Sequence, residues 1–160
     1  MKSLSKDELK SLLEVAGPDR LLFTVMFNHG LRVSEAIALN DTNVVDGHLV
    51  VQRLKGSEKT TQRILADEAQ LLTMKGRFFP MSRWTVNRRL QEAGVKAGIP
   101  EHKLHAHVLK HTTGRLAYKG GCGVAEIQSI LGHKCGGNSM IYMQADESEA
   151  YAAFAAAVGK

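Results

Sequence analysis

Apolar residues recur at helical spacing near the start of the chain, at Leu9, Leu12, Leu13 and Ala16, behind the segment Ser5-Lys6-Asp7-Glu8. Ser5 and Glu8 stand where a reciprocal capping box needs its N-cap and N3 residues. The pattern therefore predicts a helix that starts after Ser5 and stops at Gly17-Pro18. Asp19 opens a second helix, whose run from Leu21 to Phe27 is apolar nearly all round and so predicts burial on every side. Asn28-His29-Gly30 breaks it. A short helix follows from about Val33, with Glu35 in its first turn, where a negative charge complements the helix N-terminus.

Between Asn40 and Asp67 the period changes to that of strands. Val44-Val45, the Asp46-Gly47 turn and the alternating run His48 to Arg53 predict a β-hairpin. Lys55-Gly56-Ser57 turns the chain again, into a third strand near Thr60 to Leu65. Everything after Asp67 reads as helical. Ser82 caps a run through Trp84, Val86, Leu90 and Val95 that ends at Gly98. Helices from about Ala106 to Lys119 and from Val124 to Leu131 come next, split by Gly120-Gly121-Cys122-Gly123. A short helix holds Tyr142, and an alanine-rich helix runs from Asp146 to Val158, with Ala150, Phe154 and Val158 on one stripe. The predicted fold class is α+β: a mainly helical domain with a small three-stranded antiparallel sheet. Nothing in the chain marks a repeat, a linker or a second domain, so residues 1–160 are expected to form one unit.

Composition changes this picture only through charge. The 160 residues are 44% hydrophobic and 23% charged, ordinary values for a globular protein, with a net charge of +5. The basic residues crowd into the middle. From Arg77 to Lys134, ten lysines and arginines face only Glu92, Glu101 and Glu126, while acidic residues gather near both ends. That distribution points to a polyanion met by the middle of the chain. No apolar run is long enough to cross a membrane. The two cysteines, Cys122 and Cys135, have no metal-ligand spacing, and reduced thiols in a cytoplasmic compartment are expected.

The chemistry-bearing residues concentrate between His107 and Tyr142. His107 and Lys110 stand three apart in an apolar-periodic segment, where a helix would present both on one face. His133 follows the Leu131-Gly132 stop, which can turn its side chain into a cleft. Tyr142 lies among Met140, Ile141 and Met143. Cations gathered near a tyrosine suit a phosphodiester held by basic groups while a phenolate attacks phosphorus. Upstream, Arg32 leaves a helix break, and its guanidinium fork suits two phosphate oxygens; the bland alternative is a surface pair with Glu35. His105, His107 and His111 form a dense set, but no carboxylate or cysteine completes a metal site, and none is expected.

These segments resemble the signatures of the tyrosine recombinases, the phage integrase family. His107-Val-Leu-Lys110 is similar to that family's His-x-x-Arg, Leu131-Gly132-His133 to its Leu-Gly-His, and Gly30-Leu31-Arg32-Val33-Ser34-Glu35 to its Gly-Leu-Arg-x-x-Glu. Leu54-Lys55-Gly56-Ser57 falls where the family carries a β-hairpin lysine. The resemblance implies that Arg32, Lys55, His107, Lys110, His133 and Tyr142 are catalytic, with Tyr142 the nucleophile, Lys55 the general acid and Glu35 a supporting acid. It departs at Lys110, where the family has its second arginine. Arg83, Arg88 and Arg89 on the polar side of their helix, with Lys134, are the expected DNA contacts.

The implied function is DNA cleavage and rejoining through a 3′-phosphotyrosyl intermediate, without ATP, metal or other cofactor. Double-stranded DNA is the expected partner. The resemblance also implies a homotetramer on DNA, with the last helix docking on a neighbouring copy, and a catalytic domain that lacks the family's N-terminal core-binding domain. Two alternatives stay open: a DNA-binding relative weakened in catalysis, favoured by Lys110, and a type IB topoisomerase, which the compact signatures fit less well.

Overall fold

Ser5 caps the first helix as its spacing requires. In this computed structural model, which describes residues 2–54, 58–133 and 147–160, the amide of Glu8 donates to Ser5 Oγ at 3.1 Å. The Ser5 amide donates in return to Glu8 Oε2 at 2.8 Å. Helix α1 spans Lys6–Val15 and α2 spans Arg20–His29. Leu22, Phe23, Val25 and Met26 are at most 1% exposed, so the apolar run predicted to be buried all round makes α2 the axis of the core. It packs against α1, a short α3 (Val33–Ile37) and α5 (Val108–Lys119).

Gly30 ends α2 in the left-handed region, at φ 58°, which costs glycine nothing and other residues much. A Cβ there would lie 2.4 Å from Leu131 Cδ2, so glycine also lets the end of α2 meet the end of α6 (Val124–Leu131).

The sheet is the predicted three-stranded antiparallel meander. Strands β1 (Val44–Val45) and β2 (His48–Val51) pair with Val45 opposite His48, and β2 pairs with β3 (Thr60–Arg63) with Val51 opposite Thr60. Asp46 and Gly47 both have positive φ, 50° and 75°, the geometry that a two-residue hairpin turn demands. β3 stops at Arg63, two residues short of its predicted end. The Leu65 amide leaves the ladder for the Glu68 carboxylate, at 2.9 Å.

The helical reading after Asp67 needs correction. Residues Ala66–Leu72 form a 3₁₀ helix, and 73–82 is irregular, tied to the N-terminal half by the Phe78 amide on Leu39 O and the Asp41 amide on Gly76 O. Gly76 at φ 68° and Pro80 prevent a continuous helix, and Phe78 and Phe79 anchor the segment in the core. Helix α4 (Arg83–Lys96) follows, with the Ser82 hydroxyl accepting from the Thr85 amide. Helix α5 begins one residue after His107 rather than at Ala106. The last helix, α7, covers Glu147–Ala157. Tyr142, Lys55 and Lys134 lie outside the described residues.

Candidate active site

The Gly30-Leu31-Arg32 turn presents its arginine at the N-cap of α3, and the same turn buries Glu35. Glu35 is 3% exposed and accepts four hydrogen bonds from the described residues. They come from the Arg32 amide at 2.8 Å, Arg32 Nη1 at 3.3 Å, the Leu54 amide at 3.0 Å and Arg53 Nη1 at 3.4 Å. Burial alone would raise its pKa; the amides of Arg32 and Leu54 and the charges of Arg53 and Lys110 outweigh that and hold it below the usual value. Glu35 is therefore a buried carboxylate that orients Arg32 on one side and the base of the β2–β3 connection on the other. The Arg32 side chain remains 27% exposed, so the pair with Glu35 and an outward-reaching guanidinium coexist.

Lys110 is 5% exposed. Its Nζ donates to the carbonyl of Gly30 at 3.0 Å and to that of Leu131 at 3.1 Å, bridging the ends of α2 and α6. Burial lowers its pKa to about 7, helped by the neighbouring charges of Arg53 and Arg32 and opposed by Glu35. At neutral pH Lys110 is thus divided between ammonium and amine, which an arginine at this position would not be.

Three histidines lie within electrostatic reach of this lysine: the predicted His107 and His133, and His111. His133 is 6% exposed, and burial together with the charges of Lys110, Arg32 and Arg53 pushes its pKa down to about 4. His107 occupies the N-cap position of α5; partial burial of its ring, then His105, Arg32, Lys110 and Arg83, lower its pKa. His111, one turn on from His107, is pushed down to about 4 by burial and by His105, His107 and Lys110. All three imidazoles are therefore neutral at pH 7 and act as hydrogen-bonding groups rather than fixed charges. The rings of His105 and His107 lie 5.4 and 6.1 Å from that of His111, between centroids. Among the described residues no His, Cys, Asp and Glu side chains group as metal ligands.

Four predicted residues, Arg32, His107, Lys110 and His133, with Glu35 beside them, thus meet where α2, α3, α5 and α6 converge. The arginines of α4 divide. The charge of Arg83 reaches His107. Arg88 lies over the exposed Trp84 ring at 5.3 Å and pairs with Glu92 at 2.9 Å. Arg89 turns the other way, onto Asp19 at 3.0 Å. A polar cavity of ≈ 340 Å³ opens between β3 and α6, with Thr60, Gln62, Gln128 and His133 in its wall.

Sequence reasoning missed two buried groups here. Arg53, 4% exposed, was read as an ordinary strand residue. Its place two positions after the buried Val51, in the run predicted as one strand, was the available signal. His29 was read only as part of a helix break. It is 1% exposed, with Nε2 at 2.6 Å from Glu68 Oε1 and Nδ1 at 2.8 Å from Gln62 Oε1. Gln62 donates in turn to the Ile130 carbonyl at 2.8 Å, so this buried chain of polar groups also ends at α6.

Comparison with known proteins gives one consistent result. The model of the phage integrase family matches residues 2–76 and 66–149. The chain is 32% identical over 164 residues to tyrosine recombinase XerA of Pyrococcus furiosus, an alignment that takes in 88% of this chain and 56% of that protein. It therefore spans little more than half the length of that relative. Its fold superposes on XerH recombinase bound to a palindromic difH substrate after cleavage, with a TM-score of 0.78 at 20% identity, covering 96% of this chain and 52% of that one. It also superposes on the catalytic domain of bacteriophage HP1 integrase, with a TM-score of 0.71 at 23% identity, over 89% and 87% of the two chains.

Proposed function

Because the chain belongs to the phage integrase family of tyrosine recombinases, we propose that it cleaves and rejoins DNA strands at specific sites through a 3′-phosphotyrosyl intermediate. The observation that carries this reading is the convergence of Arg32, Lys110, His107 and His133 around the buried Glu35. Three further observations support it: the basic middle of the chain, the partly exposed Arg32, and imidazoles whose pKa values are lowered, so that they can donate or accept single hydrogen bonds.

In the proposed reaction Tyr142 gives its phenol proton to His107, its Oη attacks the scissile phosphorus, and the bond to the 5′ oxygen breaks as that oxygen takes a proton from Lys55. Arg32, with His133 and a protonated Lys110, stabilises the negative charge that develops on the non-bridging oxygens. A phosphate placed beside Lys110 favours its ammonium form, so substrate and proton arrive together. The 5′ hydroxyl of a partner strand then reverses the step, and the phosphotyrosyl bond retains the energy needed. Arg83 and Arg88 are the α4 residues best placed to meet the DNA backbone. Tyr151 and Phe154 of α7, and Val158 just beyond it, are 70, 56 and 50% exposed, which supports docking of that helix on a neighbouring copy in a tetramer.

A specific observation also favours a second reading, a DNA-binding relative weakened in catalysis. Lys110 already spends two of its donors on backbone carbonyls and is readily neutral. A library of nicked duplexes with randomised cores, from which SDS-stable protein–DNA adducts are recovered and sequenced, separates the two. The recombinase reading expects adducts from the protein as given and none from Tyr142→Phe, with DNA affinity retained. Adducts that survive Tyr142→Phe would displace the nucleophile, and affinity without adducts would leave the DNA-binding reading.

A further inference from the structure

Arg53 belongs to none of the recognisable motifs, yet it touches several of them. Its Nε donates to Thr60 Oγ1 at 2.9 Å. Nη1 donates to the Gly30 carbonyl at 2.9 Å and to Glu35 Oε1 at 3.4 Å, and Nη2 to the carbonyls of His29 at 2.5 Å and Ile130 at 3.3 Å. We propose that Arg53 is a positioning residue for the active site, holding the Gly30–Arg32 turn and the end of α6 in one arrangement and fixing a positive charge against Lys110.

Geometry carries the assignment. Only a planar guanidinium offers donors in enough directions to reach a strand hydroxyl, a helix-end carbonyl on each side and a carboxylate at once; an ammonium on a flexible stem cannot. The charge is buried, and its partner is the same Glu35 that orients Arg32. The Leu131-Gly132-His133 segment lies directly on the Arg53 stem. A Cβ on Gly132, whose φ is +72°, would sit 2.9 Å from Arg53 Cγ and 2.9 Å from the Glu58 carbonyl. Leu54, the residue after Arg53, donates its amide to Glu35, so the chain beside Arg53 is tied to the same point.

Arg53 and Lys110 also share one acceptor, the Gly30 carbonyl. Among the described residues, the charged and titratable groups that face Lys110 are Arg53, Arg32 and Glu35, His133 at the end of α6, His107 at the N-cap of its own helix and His111 within it. Glu35 is the single negative one among these. Burial is the larger cause of the lowered Lys110 pKa, and the fixed guanidinium one carbonyl away adds to it.

This assignment rests on the recombinase reading, and its test separates the two. The full chain, labelled with ¹³C-lysine, is titrated by the Lys110 Cε resonance in wild type, Arg53→Met and Arg53→Lys, with circular dichroism as the check on folding. Folded Arg53→Met should shift the Lys110 midpoint upward by on the order of one pH unit, because a like charge is gone. Arg53→Lys, which keeps the charge, should stay near wild type. An unmoved midpoint in folded Arg53→Met overturns the proposal.

On a nicked duplex recovered with the wild-type protein, Arg53→Lys should slow adduct formation by on the order of a hundredfold, because the donors are misplaced. The dissociation constant for DNA should stay unchanged. Equal losses in rate and affinity, or no loss, would also overturn it. If Arg53→Met does not fold, Thr60→Val, which removes only the acceptor of Nε, takes its place in the adduct assay. A slower adduct at constant affinity supports the assignment, and an unchanged rate refutes it. Absence of wild-type adducts refutes the recombinase reading instead, and the Lys110 titration then decides the role of Arg53 alone.

Discussion

Replacing Lys110 by methionine should reverse sign in its value to the fold as conditions change from acid to alkaline. Lys110 has a folded-state pKa of about 7 against 10.5 for the free side chain. Below pH 7 both states carry the proton, and the folded protein bears the full cost of a buried ammonium. Above pH 7 the unfolded chain still holds the proton that the folded chain has released. The unfolded state then binds more protons, so stability rises with pH until about 10.5, the unfolded value. Between pH 7.5 and 9.0 this linkage contributes about 2 kcal/mol, at nearly 1.4 kcal/mol per pH unit.

Methionine cannot show this dependence. It relieves the charge at low pH but leaves the Leu131 carbonyl without its Lys110 donor, at a cost of about 1–3 kcal/mol. Lys110→Met should therefore be the more stable protein at pH 6, and wild type should regain about 2 kcal/mol on it between pH 7.5 and 9.0. Urea unfolding of both proteins at pH 6.0, 7.5 and 9.0, at constant ionic strength, measures the difference directly. His107, His111 and His133 titrate below this window, since all three are lowered from 6.5. Cys122, raised by partial burial and by Glu126, is common to both proteins and cancels. A stability difference that stays constant from pH 7.5 to 9.0 would refute the buried, readily neutral lysine.

Three other outcomes follow from the same geometry. Gly30→Ala forces a Cβ to 2.4 Å from Leu131 at a positive φ; it should destabilise by about 1–3 kcal/mol, read as a lower urea midpoint at unchanged m. His29→Phe removes the Nε2 contact to the fully buried Glu68, which keeps only the Leu65 amide on that oxygen, and should cost about 1–3 kcal/mol; a calorimetric scan showing wild-type stability would exclude the contact. Lys110→Arg restores a permanent charge with a planar donor set, so adduct formation on a nicked duplex should quicken and lose its dependence on pH between 6 and 8; no gain would show that the lysine is already competent.

What could be read from the chain was what the chain specifies locally. The Ser5–Glu8 box, the Asp46-Gly47 turn and the glycine stops at Gly30 and Gly132 each depend on residues within a few positions. All four appear in the structure as expected. The segment after Asp67 was misread because its apolar residues serve tertiary anchoring, through Phe78 and Phe79, rather than a helical face. Arg32, His107, Lys110 and His133 could be nominated because each sits in a short motif, but the motifs say nothing of the electrostatics between them. Those come from burial and from charges that the fold gathers, among them Arg53, whose partners lie 7 to 77 residues away in sequence.

The predicted strand alternation held half the answer: it puts Leu49, Val51 and Arg53 on one face, and although β2 ends at Val51 all three are buried. What alternation could not supply was the reason a guanidinium is tolerated there, namely three helix-end or turn carbonyls and one carboxylate gathered from separate elements. That arrangement alters the meaning of the Lys110 departure. Judged as a motif residue, a lysine in place of arginine loses only the planar fork. Set beside a buried guanidinium that shares its acceptor, it also loses its permanent charge, and the protonation of one amine becomes the variable on which the cationic character of the site turns.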